Sequence, residues 1–192
     1  GMGLDQRIGD RFLRAGPAYG GSCFPKDTRA IVETAKNFKT NLSIVKSVIK
    51  SNDDRKLLLT KRVEKILKGK IKNRNITFLG VTFKPNTDDM RQSCSLYMFP
   101  YLLKGGAKIR YYDPSGEKLE FSKLKNTLFC NDIEEACNNT DLVIIHTEWE
   151  EFKALDFKKL SHNKKFKIFD MRNLYSADQM RKEGFIYHSI GR

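Results

Sequence analysis

No stretch of this 192-residue chain approaches the roughly 20 consecutive apolar residues that a membrane span needs. The opening, Gly1-Met2-Gly3-Leu4-Asp5-Gln6-Arg7, lacks the apolar core of a secretory leader. Cys23, Cys94, Cys130 and Cys137 show neither the paired spacing of a zinc site nor the spacing of a disulfide framework. Reduced thiols, a cytoplasmic location and no bound metal are the expectation. Two phosphate-cradling motifs are also missing: GxGxxG after a strand, and GxxxxGKS/T. If a dinucleotide is used, its main binding fingerprint lies elsewhere. No internal repeat or low-complexity segment stands out.

Positive charge, by contrast, is abundant, at a net +13. Basic residues run through 50–75 and again through 153–167, alternating with apolar positions as on the solvated faces of amphipathic helices. No aromatic–basic RNA-recognition signature or helix-turn-helix pattern accompanies them. A lysine-rich surface is therefore the preferred reading, with no nucleic-acid partner. Part of the charge can steer an anionic, phosphorylated substrate.

Two regions differ in pattern, which predicts a boundary between 1–74 and 75–192. The first reads as helical after an irregular opening, over Lys26–Asn37 and about Leu42–Lys68, with Gly69 as a helix stop. The second alternates. Strand-like runs cover Ile76–Phe83, Lys108–Asp113, Leu142–Thr147, Lys167–Asp170 and Phe185–Ile190. Helix-like runs fall near Ser93–Lys104, Asp132–Asn138, Asp156–Ser161 and Ser176–Glu183. The fold class is thus α/β: an N-terminal helical segment, then a Rossmann-like, mainly parallel sheet with helices on both faces. Right-handed crossovers would align the strand C-termini along one edge, where ligands bind.

One turn carries the clearest chemistry. Gly20-Gly21-Ser22-Cys23-Phe24-Pro25-Lys26-Asp27 leads through two glycines into a helix, and Pro25 suits the first helical position. Cys23 then meets free N–H groups and the positive end of the helix dipole, with Lys26 nearby. Those conditions lower a thiol pKa and favour a nucleophile. Asp27, one helical turn on, can hold a water or accept a proton. The competing view is a buried structural cysteine, but the flanking residues favour a reactive thiol.

Other candidates sit where strands end. Lys84 can pair with a phosphate or sugar hydroxyls, while Asp88 or Asp89 caps the next helix. Arg91 either binds an anion or pairs with Asp88. Arg172 follows Asp170 and either faces a ligand or pairs with that acid. Arg7 and Arg14 flank the glycine turn and serve phosphate recognition or plain solubility.

Together these motifs resemble the UDP-glucose 6-dehydrogenase family. The resemblance is carried by Gln6-Arg7-Ile8-Gly9, Gly16-Pro17-Ala18-Tyr19-Gly20-Gly21-Ser22-Cys23-Phe24-Pro25-Lys26-Asp27, Phe83-Lys84-Pro85-Asn86-Thr87-Asp88-Asp89-Met90-Arg91, Tyr112-Asp113-Pro114 and Thr147-Glu148-Trp149, in family order. It covers essentially the whole chain but only the family's C-terminal portion, without the NAD-binding domain and a connecting helix bearing a catalytic Lys and Asn. The chain is expected to be a piece of a longer protein.

The resemblance implies two hydride transfers to NAD, taking UDP-glucose to UDP-glucuronate through a thiohemiacetal and thioester on Cys23, with Asp27 handling water or protons. Arg14, Ala15, Gly16, Pro17, Ala18, Tyr19 and Gly20 would line the substrate, with Phe83, Lys84 and Arg172. Arg7 would reach a neighbouring subunit's site in a homodimer. Cys23, Phe24, Pro25, Lys26 and Arg91 would border NAD. Phe24 together with Phe83-Lys84-Pro85-Asn86 favours UDP-glucose, and relatives acting on UDP-N-acetyl-hexosamines usually carry His at the position of Ser22 and a different residue for Lys26. GDP-mannose dehydrogenases typically carry Leu where Phe24 stands. A GDP-mannose or UDP-N-acetyl-hexosamine enzyme, or a non-catalytic nucleotide-sugar binding module, are the alternatives.

Overall fold

The computed structural model describes residues 1–10, 13–161 and 165–191; Lys164 of the second basic run lies outside them. Two helices lead, α1 (Cys23–Asn37) and α2 (Ser43–Ile66). Six strands follow: β1 (Asn75–Leu79), β2 (Lys108–Tyr112), β3 (Thr127–Phe129), β4 (Leu142–Ile145), β5 (Lys167–Asp170) and β6 (Ile186–Ser189). They form one sheet in the order β3-β2-β1-β4-β5-β6, with every pairing parallel. Between them lie α3 (Ser95–Lys104), α4 (Leu119–Ser122), α5 (Ile133–Cys137), α6 (Phe157–Leu160) and α7 (Ala177–Lys182).

Strand alternation builds two cores. Phe78, Ile109, Tyr111, Ile144 and Phe169 face one side, where they meet Met98, Phe99 and Leu102 of α3 and Leu59, Val63 and Ile66 of α2. Leu79, Val143, Ile145 and Ile168 face the other side, against Phe157 of α6 and Ala177 and Met180 of α7. Burying side chains of this size stabilises by about 2 kcal/mol each. The second half of α2 thus covers one face of the sheet, and its polar first half is left to the Gly16–Tyr19 loop.

Boundaries differ from expectation in ways that have local causes. β1 stops at Leu79 because Gly80 takes φ +76°, with its Cα packed so tightly on Thr147 that a Cβ would come within 2.6 Å. The helix α1 begins at Cys23, so Pro25 occupies its third position, where a missing N–H still costs nothing. α2 ends at Ile66, and the chain leaves it through Gly69, whose N–H reaches Glu64 O at 2.9 Å. The three-residue β3 and the one-turn α4 were not foreseen. No helix among the described residues is long and apolar enough to cross a membrane.

Candidate functional site

In a sheet of this order, β1 and β4 are the neighbours whose connections run in opposite directions. A crevice opens there, outside the strand C-termini. Gly80 to Lys84 leave β1 at that point, His146 to Trp149 leave β4, and Met171-Arg172 leave β5.

The loop Gly16 to Gly21 closes over this edge. Gly21 N–H donates to Arg91 O at 2.7 Å, tying the loop to the segment after β1. Only glycine fits there: φ is +81°, and a Cβ would come within 2.8 Å of the Phe83 ring. From behind, α2 grips the same loop. Asn52 Oδ1 accepts from Tyr19 N–H at 2.9 Å and its Nδ2 donates to Tyr19 O at 3.1 Å. Arg55 Nε donates to Pro17 O at 2.8 Å, and its terminal nitrogen to Gly16 O at 2.7 Å. Pro17 is buried, and Ala18 packs on the sheet core.

Cys23 opens α1 exposed to solvent, its Sγ 3.6 Å from Ser22 Oγ. The other three thiols are buried, and burial pushes Cys94 and Cys137 up to about 12 and Cys130 up to about 11. Phe24 stacks edge-on against Tyr19 at 4.7 Å between ring centres. Lys26 and Asp27, 3.4 Å apart, lie on the exposed side of the helix.

Arg172 is the most deeply set cation of the crevice, its side chain only 11% exposed. Its Nε donates to His146 O at 2.9 Å and a terminal nitrogen to Phe83 O at 3.2 Å. Burial pulls its pKa below the ordinary value, opposed chiefly by Glu148, whose Oε2 lies 2.8 Å from Nε. The acid partner is therefore Glu148 and not Asp170. Asp170 accepts instead the N–H groups of Arg172, Leu174 and Tyr175 and the hydroxyl of Tyr187, organising the turn after β5. Gly16 approaches the guanidinium so closely that a Cβ there would stand 2.7 Å from it.

Two further assignments change. Arg91 pairs with Asp89, not Asp88: Nε donates to Oδ1 at 3.0 Å and a terminal nitrogen to Oδ2 at 2.8 Å. Asp89 raises the Arg91 pKa most, and Cys23 adds a smaller effect of the same sign, which places the thiol and guanidinium in one electrostatic neighbourhood. Neither Asp88 nor Asp89 caps a helix, since α3 starts after Cys94 without a side-chain cap. Lys84 is exposed, its Nζ 5.5 Å from the Phe83 ring centre.

The crevice thus gathers Gly16 to Gly21, Phe83, the Arg91 backbone and Arg172, with Cys23 at its rim. Arg7 and Arg14 form exposed local pairs with Asp5 and Asp10, each at 2.7 Å, and Arg14 also feels the charge of Glu148 in the crevice. Asn52, Arg55 and Glu148 were missed as site residues. On sequence, the first two look like the polar face of a long helix, and only the loop they hold reveals them.

A dinucleotide does not fit the first turn of this sheet. Asp113, at the end of β2, is fully buried and accepts Val81 N–H at 2.7 Å and Thr82 N–H at 3.3 Å. Those amides are the ones a pyrophosphate would need. Among the described residues no cluster of three or more His, Cys, Asp or Glu is arranged to hold a metal.

Strand order, crossover direction and the crevice at the switch point define a doubly wound α/β protein whose ligand edge is overlaid by a cysteine-bearing loop. The chain belongs to the UDP-glucose/GDP-mannose dehydrogenase family: the family's UDP-binding domain matches residues 77–177 and its central domain residues 1–54. It is 46% identical over its whole length to a UDP-glucose 6-dehydrogenase of Rhizobium meliloti, covering 44% of that protein. It is 40% identical to one from Rickettsia felis, covering 43% of it. The chain therefore spans less than half the length of these relatives. A UDP-glucose dehydrogenase structure from Pyrobaculum islandicum superposes with a TM-score of 0.81 at 31% identity, over 97% of this chain and 41% of that one.

Proposed function

We propose that this chain supplies the nucleophile and the nucleotide-sugar wall of an NAD-dependent UDP-glucose 6-dehydrogenase, with residues 1–74 carrying the cysteine loop and 75–192 the UDP-sugar domain. The observation that carries this reading is the Gly21 N–H to Arg91 O bond at 2.7 Å. It couples the loop leading into Cys23 to the segment bearing Phe83, Lys84 and Arg91.

In this reading UDP-glucose lies along the crevice. Lys84 meets its anionic part, Phe83 presents a ring face, and Arg172 and the Arg14 to Gly20 loop orient the sugar. The Arg172 guanidinium is fixed by two carbonyls and Glu148, and its other terminal nitrogen, beside Gly16, is left for the ligand. NAD supplies the hydride acceptor and is held mainly outside this chain, bordered here by Cys23, Phe24, Pro25, Lys26 and Arg91.

Sulfur is needed because an aldehyde cannot give up a further hydride until it becomes tetrahedral. Cys23 Sγ adds to C6 of the aldehyde as a thiohemiacetal, and the oxidised thioester is cleaved by water that Asp27 holds or deprotonates. Exposure of Cys23 suits it to reach a bound sugar, which the three buried thiols cannot do. The full-length enzyme is proposed to be a cytoplasmic homodimer feeding polysaccharide precursors, with Arg7 directed at the partner's site. This chain alone should show little or no dehydrogenase activity.

The decisive experiment is Cys23→Ser in the full-length enzyme, with UDP-glucuronate formation as the readout. Abolished acid formation with retained UDP-glucose binding is expected, and unchanged turnover would remove Cys23 from the reaction. Calorimetry of this chain should register UDP-glucose in preference to GDP-mannose.

A further inference from the structure

The two basic runs that stand out in the sequence are far apart along the chain, yet the fold brings their ends into one cavity. It lies at the opposite edge of the sheet from the crevice, where β1, β5 and β6 begin, and measures about 630 Å³. That volume is in the range of small-ligand sites. Lys68, Lys70 and Arg74 enter it from the connection between α2 and β1; Lys158, Lys165 and Lys167 enter from the connection between β4 and β5.

Neutralisation accounts for only part of this charge. Arg74 pairs with Asp141 at 3.1 Å, and Lys167 Nζ is spent on Ile66 O. Glu183, the other acid of the lining, accepts from Gln179 at 3.1 Å. Among the described residues, Lys68, Lys70, Lys158 and Lys165 have no carboxylate within ion-pair distance. The walls are not uniformly polar. Leu67, Phe166 and Phe185 also line the cavity, and Phe157 packs behind both phenylalanines at 6.4 and 6.0 Å between ring centres.

The four lysines are exposed around the cavity, and their like charges repel one another and favour an anion between them.

We propose that this cavity is a second ligand site that takes a nucleoside polyphosphate, with its phosphates on the four lysines that lack a carboxylate partner among the described residues and its base against the half-buried Phe185. Cationic rim and aromatic wall together select an anion with a flat apolar part over a bare anion. The site is separate from the crevice, because its lining shares no residue with the segments 14–24, 80–91 or 146–149, nor with Arg172.

Calorimetry of this chain at about 50 mM salt tests the proposal, with ATP, inorganic tripolyphosphate and a short single-stranded RNA as probes. ATP should bind below about 1 mM and at least about tenfold tighter than tripolyphosphate. The Lys70→Glu/Lys165→Glu variant should weaken ATP by about tenfold or more and leave UDP-glucose binding unchanged. Lys84→Ala should do the reverse, which separates failure of this site from failure of the crevice. Should the charge reversal disturb folding, Lys70→Gln/Lys165→Gln gives the same comparison with smaller loss. No ATP binding, equal affinity for tripolyphosphate, an ATP affinity indifferent to both lysine variants, or RNA binding much tighter than ATP and lost with them would each overturn the assignment.

Discussion

Asn52 holds Tyr19 by both ends of one residue, accepting its N–H at 2.9 Å and donating to its carbonyl at 3.1 Å. A side-chain amide is the one group that can do both at once in a fixed plane. The loop leading to Cys23 is thereby bonded to α2 as a strand would be bonded to its neighbour.

Asn52→Ala should remove both bonds and leave two half-buried backbone groups unsatisfied, at a cost of about 1–3 kcal/mol. Urea unfolding of this chain should show a lower midpoint with an unchanged slope, together with weaker UDP-glucose binding. Asn52→Asp keeps only the acceptor and should fall between. If the alanine variant matched the parent in both measurements, the clamp would be irrelevant.

Gly21→Ala should be costly for two reasons that can be separated. Its φ of +81° strains any side chain, and the new methyl collides with the Phe83 ring. We expect about 1–3 kcal/mol of destabilisation. Adding Phe83→Ala should recover the steric part only, as a double-mutant cycle would measure. Additive losses would mean the two residues do not touch in solution.

Thiol labelling should count one fast cysteine in the folded chain near pH 8, since burial keeps Cys94, Cys130 and Cys137 protonated and covered. Mass spectrometry after iodoacetamide should place the label on Cys23, and all four residues should react in denaturant. Rapid labelling of a second site would contradict the packing around α3 or α5.

His146 gives the fold an acid limit. It is fully buried, and burial first, Arg172 second, pull its pKa down to about 3. Between about 6.5 and 3 the unfolded chain binds a proton there that the native state refuses, so stability is whole above the upper value and declines as pH falls. The slope for one such group approaches about 1.4 kcal/mol per pH unit. His146→Gln should flatten that limb of a pH–stability profile, and an unaltered slope would show that other groups dominate.

Arg172 should depend on Glu148 for its position. Glu148→Gln keeps shape but removes the charge that opposes desolvation of a guanidinium 11% exposed. Breaking such a pair leaves an uncompensated charge, which is worth about 3–5 kcal/mol when fully buried and less here because Glu148 is 27% exposed. In the full-length enzyme, KM for UDP-glucose should rise more than kcat falls.

Much of this was legible in the chain. Continuous apolar runs such as Leu142 to Ile145, short and alternating with helical patterns, read as strands covered on both faces, and each of the five strand-like and four helix-like runs of 75–192 holds an element of that type. β3 escaped because its three residues sit at the sheet edge with Leu128 half exposed, so neither length nor alternation marks them. The crevice was traceable through Phe83, Lys84 and Arg172, each of which follows a strand. What escaped was partnership. Arg172 stands two residues from Asp170 yet pairs with Glu148, and Arg91 bonds Asp89 when Asp88 stands beside it. Local sequence proposes the nearest acid, whereas the turn geometry decides which carboxylate points at the cation.

The buried carboxylate of Asp113, occupying the Val81 and Thr82 amides, makes the turn after β1 its own counter-ion. In a related fold that turn waits for a pyrophosphate to complete it. Here it is complete from the moment of folding, so its shape is independent of occupancy. Those two amides have nothing left to offer an incoming phosphate, and discrimination at that turn falls to side chains that evolution can exchange one at a time.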